Sequence, residues 1–448
     1  MTRSFRARSL PTRTPAFLSC AAVASLVVSL VVLGCGSTTP PPTAAPPSAA
    51  PATAAPTTSA AAPPSGSPSV APSGATDAVF TAIESEVVAL RGLKPTDVAR
   101  ETIDEAALIE LAGADFDKDN PADYVAANER LYKALGLLDE STSLKALFLD
   151  LIGSQVAGFY QPDDKKLYVV SRSGTVNGAD KITFAHEYDH ALQDANFDVF
   201  KDTEALRDQT DQALARAALY EGDATLLMTQ WALPNLSPAE LQEVIAAGSD
   251  PEANAILTRT PAILTEGLLF PYNTGILFVQ PVQAAGGWAA VDELYKRLPV
   301  STEQVMHAAK YQAAEAPVAV TLPADLATRM GADWTVAFQD TWGEFQTGVW
   351  LRESGVAAAA ANAAAAGWGG DRLAVLNGPD GAWAVVMEST WDSDADAAEF
   401  FEGAQVAVNG LDAPADVSAK GDRDVTILIA SDDAGLLQLD KIFGDTGA

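Results

Sequence analysis

Histidine, cysteine and basic residues are what this 448-residue chain has least of, and each shortage closes off a class of function. With 28 Lys and Arg against 59 Asp and Glu, and a formal charge of −31, it lacks the clustered cations that a phosphate backbone requires. Nucleic acid is therefore excluded as a partner. The acidity suits a soluble surface in a salty or calcium-containing exterior, but it names no substrate. Both cysteines, Cys20 and Cys35, lie near the N-terminus. The remainder folds without a disulfide framework and relies on its core, which a chain of this length can bury. Only three histidines occur, and two of them, His186 and His190, stand four residues apart.

The first 34 residues are read as a processing segment rather than as part of a fold. Arg3, Arg6, Arg8 and Arg13 form a basic region, and an uncharged apolar run covers residues 16–33. The run ends in Val32-Leu33-Gly34 directly before Cys35. This resembles a bacterial lipoprotein signal, and the resemblance implies cleavage before Cys35 and lipidation of its thiol. The competing reading is an uncleaved anchor, since about 18 apolar residues just span a bilayer. Cleavage would take the formal charge from −31 to −35, because four arginines and no acid leave with the signal. Residues 37–76 are almost wholly Pro, Ala, Ser, Thr and Gly with no charge. Such a stretch cannot bury a core and acts as a semi-rigid spacer, about 3.1 Å per residue when extended. The division expected is signal 1–34, lipidated cysteine and linker 35–76, a first folded unit 77–330 and a second, 331–448.

Residues 183–197 carry the strongest chemical signal. Within them, His186-Glu187-Tyr188-Asp189-His190 has the H-E-x-x-H form. Residues four apart on a helix share a face, with Cβ atoms about 5–6 Å apart. Two imidazoles so placed can bind one metal ion, and Glu187, one step round, can reach a water beside it as a general base. With histidine this rare, the pattern arises by chance in on the order of one such chain per thousand. The bland alternative is a surface helix with two solvated histidines. Upstream, residues 77–91, 123–135 and 144–153 show helical apolar spacing. Residues 156–162 and 166–171 read as two strands around the turn Asp163-Asp164-Lys165, a hairpin leading into the metal helix.

A catalytic zinc takes three protein ligands. His307 and the acids after His190, Glu204 among them, are candidates for the third, and Glu221 is the best. It lies in residues 213–231, apolar nearly all round, and a buried carboxylate costs several kcal/mol unless paired, hydrogen-bonded or metal-bound. A pair with Arg216 is the plain alternative. Asp223, also among apolar helical neighbours, is read as orienting a ligand histidine.

His186-Glu187-x-x-His190 with Glu221-Gly222-Asp223-Ala224 on a later helix resembles the gluzincin group of zinc metallopeptidases. The resemblance implies that His186, His190 and Glu221 bind Zn²⁺ and that Glu187 activates water. It also implies that an extended substrate adds to the edge strand before the metal helix. Gly158-Phe-Tyr-Gln-Pro, Ser301-Thr-Glu-Gln-Val-Met-His307 and the metal motifs together are similar to a set of prokaryotic surface lipoproteins whose activity is inferred from the zinc motif. One departure is Thr225, where gluzincins often carry an Asp bonded to a ligand histidine. Asp223 or Asp194 would take over that role.

Beyond the metal motifs, the apolar run after Pro271 and residues 288–297 read as helices, and Ser301 or Thr302 caps another turn. His307 is a candidate oxyanion donor, with Tyr272 and Tyr311 as alternatives and a plain loop histidine as the bland reading. From residue 334 to 366 a long Ala-rich helical stretch is expected, with a break near Gly355 as the alternative to one continuous helix. Strands at 372–376 and 382–388, a helix at 392–406, a strand at 424–430 and a last helix follow. The fold expected is α+β: a mainly helical zincin-like core with a small edge hairpin before the metal helix, plus a C-terminal α+β unit packed on it. The function expected is a lipid-anchored, extracellular zinc endopeptidase acting on peptides or proteins. The rival is a non-catalytic metal-binding surface module.

Overall fold

The computed structural model describes residues 74–172, 175–201 and 203–444, together with the two-residue strand β1 (Val23–Ala24). The signal peptide apart from β1, Cys35 and the linker through residue 73 lie outside the described residues. The fold is α+β, with two sheets embedded in helices.

Three strands make the first sheet of the folded region: β2 (Ala99–Ile103), β3 (Gly158–Gln161) and β4 (Lys166–Val170). The expected hairpin is present, β3 antiparallel to β4, with Lys165 in the left-handed region of its turn. Its other neighbour, β2, runs parallel to β4 and was not foreseen, because Ala-Arg-Glu-Thr-Ile carries little apolar alternation. Apart from β1, which pairs antiparallel with it, β3 is the outer strand.

Helices build the rest of this half. The first, Gly74–Arg91, buries Phe80, Ile83 and Val87 against the sheet and the metal-motif helix Gly178–Phe197. Further helices occupy Glu105–Asp119, Ala122–Ala134 and Leu144–Gln155. The helix Thr210–Asn235 carries Glu221, and Ala262–Gly286 runs against it. That second helix starts well before Pro271 and holds both Pro271 and Pro281 inside it. It is long and apolar enough for a membrane span, but Gly275 sits directly on Ala218 and Gly222 of its neighbour.

The second sheet is antiparallel throughout, in the order β5-β6-β7-β9-β8: β5 (Thr335–Asp340), β6 (Trp368–Asn377), β7 (Trp383–Trp391), β8 (Ala415–Lys420) and β9 (Asp424–Ala430). The expected helical stretch over 334–366 is corrected at its start, while its break near Gly355 is present. Thr-Val-Ala-Phe-Gln-Asp forms β5, and only Gly343–Glu353 and Ala358–Ala365 are helical. β-Branched and aromatic residues favour the strand, and Gly343 at φ +83° starts a new direction. A Cβ there would overlap Asp211, and Asp371 accepts the N–H groups of Trp342 and Gly343, both at 2.8 Å. The polar edge strand β8 was not foreseen, having only Val417 as a sizeable apolar residue. One hydrophobic core runs through both halves, joining Leu131, Leu219 and Phe270 to Trp350, Trp368 and Phe400. Trp350 seals the junction by donating its indole N–H to the carbonyl of Leu135 at 3.1 Å.

Candidate metal centre

The metal-motif helix starts at a capping box. Asn177 accepts from the N–H of Asp180, and Asp180 accepts from that of Asn177, each at 3.0 Å. From Ile182 to Gln193 the helix is buried on every side, and His186, Glu187, Asp189, His190 and Gln193 are all at most 1% exposed. A surface helix with solvated histidines is thereby ruled out. Polar groups so deeply buried need partners.

Two of these partners come together across the helix pair. His186 Nε2 lies 2.9 Å from His190 Nε2 and 3.0 Å from Glu221 Oε2, and His190 Nε2 lies 3.4 Å from the same oxygen. His186, His190 and Glu221 thus form a buried group whose ligand atoms all fall within 4.8 Å of one another, compact enough to hold a metal ion. Among the described residues, Arg216 makes no ion pair with Glu221. Burial works to raise the Glu221 carboxyl, but the two histidines overcome it and hold it down to about 2. Burial also works against a charged His190, yet Glu221 pushes that imidazole up to about 9. His186 is lowered, burial being the main cause.

What brings Glu221 there is the absence of side chains. A Cβ on Gly222 would overlap the backbone of Gly275, and one on Gly275 would overlap the Ala218 carbonyl. The two helices therefore cross in backbone contact beside Glu221. The same crossing carries Tyr272 to the metal group, its ring centroid 6.2 Å from that of His186. On the sheet side, Gly158 of β3 meets the helix so closely that a Cβ would stand 2.7 Å from Thr183 and 3.5 Å from Glu187 Cγ. Glu187 thus faces the outer strand.

Several expected roles are corrected. Asp223 touches no ligand histidine: it accepts from Arg91 Nε and Nη2 at 3.1 and 2.8 Å and from the Tyr295 hydroxyl at 2.6 Å. Two residues beyond Glu221, it points away from the metal group, as helical geometry requires. Asp194 accepts from the Tyr160 hydroxyl of β3 at 2.9 Å, which turns it to the sheet. Thr225 is buried and bonds to neither histidine. The residue that touches His190 Nδ1 is Gln193, through Oε1 at 3.1 Å. Its signal was a polar side chain three residues after a ligand histidine on a buried helix. Arg91, also fully buried, had no such signal; it joins Asp223, Asp189 (3.9 Å) and Asp292 (2.6 Å) from three other helices. Breaking a buried ion pair from one side costs about 3–5 kcal/mol, so this arginine ties both ligand-bearing helices firmly to the first helix.

His307 is not brought to the group by any hydrogen bond or ring contact. It is partly exposed and pairs with Glu344 Oε1 at 2.8 Å, a bond that raises its pKa. Tyr311 donates to the Arg297 carbonyl, so of the three oxyanion candidates only Tyr272 neighbours the metal group. The side chain of Glu204 lies outside the described residues.

Residues 334–439 match a family model described as a domain of unknown function (DUF8575). No curated protein and no solved structure matches the chain. The matched stretch is the C-terminal sheet with its helices, and it contains none of the metal-group residues.

A second carboxylate group borders that domain. Glu303, Glu315 and Asp392 also converge within 4.8 Å, but Lys310 Nζ stands among them, 2.5 Å from Glu303, 2.8 Å from Glu315 and bonded to Asp392. A lysine ammonium already occupies the middle of this group.

Proposed function

We propose that the chain is a zinc metallopeptidase, with His186, His190 and Glu221 as ligands and Glu187 as the general base. The observation that carries this is the convergence of two imidazole nitrogens and a carboxylate oxygen of buried side chains at 2.9, 3.0 and 3.4 Å. Ligands about 2.0–2.1 Å from a tetrahedral ion stand about 3.3 Å apart, so the donor atoms fit zinc with a shift of a few tenths of an ångström. Two nitrogens and one oxygen are also the donor set of catalytic zinc with one position left over. Bound there, zinc would supply Lewis acidity, polarising a carbonyl and making water a nucleophile at neutral pH.

The protein groups divide the remaining work. Glu187, adjacent in sequence to His186 and seated against Gly158, takes a proton from the attacking water and returns it to the leaving amine. Tyr272, whose ring lies beside His186, is the proposed donor to a developing oxyanion. The edge of β3 next to Glu187 is paired with β1 of the N-terminal segment; cleavage before Cys35 would remove β1 and leave its N–H and C=O groups for an extended peptide backbone to pair with. Lipidation at Cys35 would hold this activity on the outer face of the cell membrane, acting on peptide or protein substrates.

The test is proteolysis of an unfolded peptide mixture read by mass spectrometry, with Glu187→Gln as control. The expected result is cleavage by the wild type and none by the variant, with zinc content equal in both. Zinc bound without cleavage in either would turn the assignment to a metal-binding surface module.

A further inference from the structure

We infer that Gln193 is a positioning residue of the metal centre: it sets the tautomer of His190 and holds the Glu221 helix in register with it. The inference rests on the metal-centre reading above. Gln193 is wholly buried, and all three of its polar contacts are made within the protein. Its Nε2 lies 3.0 Å from the Tyr220 carbonyl and 3.0 Å from Asp189 Oδ2. A backbone carbonyl can only accept, so this end of the amide has to be the NH₂ group. Oε1 is then forced to face His190 Nδ1 at 3.1 Å. An amide oxygen can only accept as well, so Nδ1 must carry the hydrogen. In the neutral form of His190 that binds a metal, Nε2 is thereby left with its lone pair directed at His186 and Glu221.

The second function follows from the same side chain. Tyr220 immediately precedes Glu221, so one amide bridges the helix bearing two ligands and the helix bearing the third. The partner is neutral. A carboxylate at this place would face both Asp189 and the Tyr220 carbonyl, two acceptors with nothing to donate to them. Glutamine is the side chain that accepts from the histidine while donating to both.

The experiment uses the purified full-length chain and zinc alone, with affinity measured by competition against a chromogenic chelator. Gln193→Met keeps the shape and loses every hydrogen bond; its zinc affinity is expected to fall about 10–100-fold, the usual cost of losing an outer partner of a ligand. Gln193→Glu keeps an acceptor for Nδ1–H and is expected to lose less than Gln193→Met. In the zinc-loaded wild type, proton NMR should show a protected His190 Nδ1–H, assignable because the chain has only three histidines. Gln193→Met should lack that signal while melting within a few degrees of the wild type.

Unchanged affinity in Gln193→Met, with binding abolished in His190→Ala, overturns the inference and leaves the metal centre standing. So does a wild-type spectrum placing the hydrogen on Nε2, a readout that serves even where the variant does not fold. No zinc binding by the wild type removes the metal centre and this role together.

Discussion

Among the described residues, two groups bring three ligand atoms within 4.8 Å of one another, and one of them has the composition of a metal site. In the first, two imidazoles and a carboxylate are buried between helices, and among the described residues no lysine or arginine pairs with them. In the second, Glu303, Glu315 and Asp392 surround the ammonium of Lys310, and two of the three carboxylates are exposed. Convergence alone does not make a metal site. What occupies the centre does: in the second group an ammonium already sits among the carboxylates, whereas in the first a buried carboxylate meets two bases that can exchange a proton for a metal ion.

The largest effect that would break this contrast is on the first group. Glu221→Gln keeps the volume and removes the anion, and zinc affinity should fall by more than about 100-fold, beyond the loss of any outer partner. Equilibrium dialysis checks it, and unchanged zinc content would put both groups in the same class.

The second group can be altered in the opposite direction. Lys310→Met leaves the buried Glu303 without its partner, and urea denaturation should show a loss of about 1–3 kcal/mol. The freed carboxylates should then take up a divalent cation, so millimolar calcium is expected to raise the melting temperature of the variant and not that of the wild type. A deficit indifferent to calcium would mean that the lysine masks no cation geometry.

A smaller effect comes from Asp340, a buried acid that among the described residues pairs with neither a histidine nor a lysine. Its carboxyl accepts the N–H groups of Thr210 and Thr341, and burial pushes it up to about 7. The unfolded value lies near 3.9. The native state therefore keeps a proton that the unfolded chain has released, and the stability this contributes is present in full below about pH 4 and lost as pH rises to about 7. The wild type should melt a few degrees lower at pH 8 than at pH 5, and Asp340→Asn should flatten that dependence. An equal slope in both would assign the pH dependence to other acids.

Much of the secondary structure could be read from the chain, for different reasons in different places. The hairpin over residues 158–170 and the strand 424–430 were legible because β-branched and aromatic residues cluster between polar turns. Strands β2, β5 and β8 were not. β2 and β8 carry almost no apolar alternation and owe their state to a neighbouring strand, and β5 was absorbed into an adjoining Ala-rich run. At the candidate site, Glu221 stood out as a carboxylate on an apolar helix. Asp223 shared that signal and answered to Arg91 instead, 132 residues away.

What the sequence determined by itself was the pairing of His186 with His190 and the place of Glu187 beside them. Those relations are set by the helical repeat, which acts over one turn and is secured by the cap at Asn177. The tertiary structure decided the remainder. Glu221 reaches the histidines and Tyr272 reaches His186 because Gly222 and Gly275 let two backbones touch. Gln193 finds Tyr220, and Arg91 finds two helices at once, only after those helices have packed. Contacts across tens of residues depend on the shape and burial of whole elements, and no periodicity in the chain encodes them.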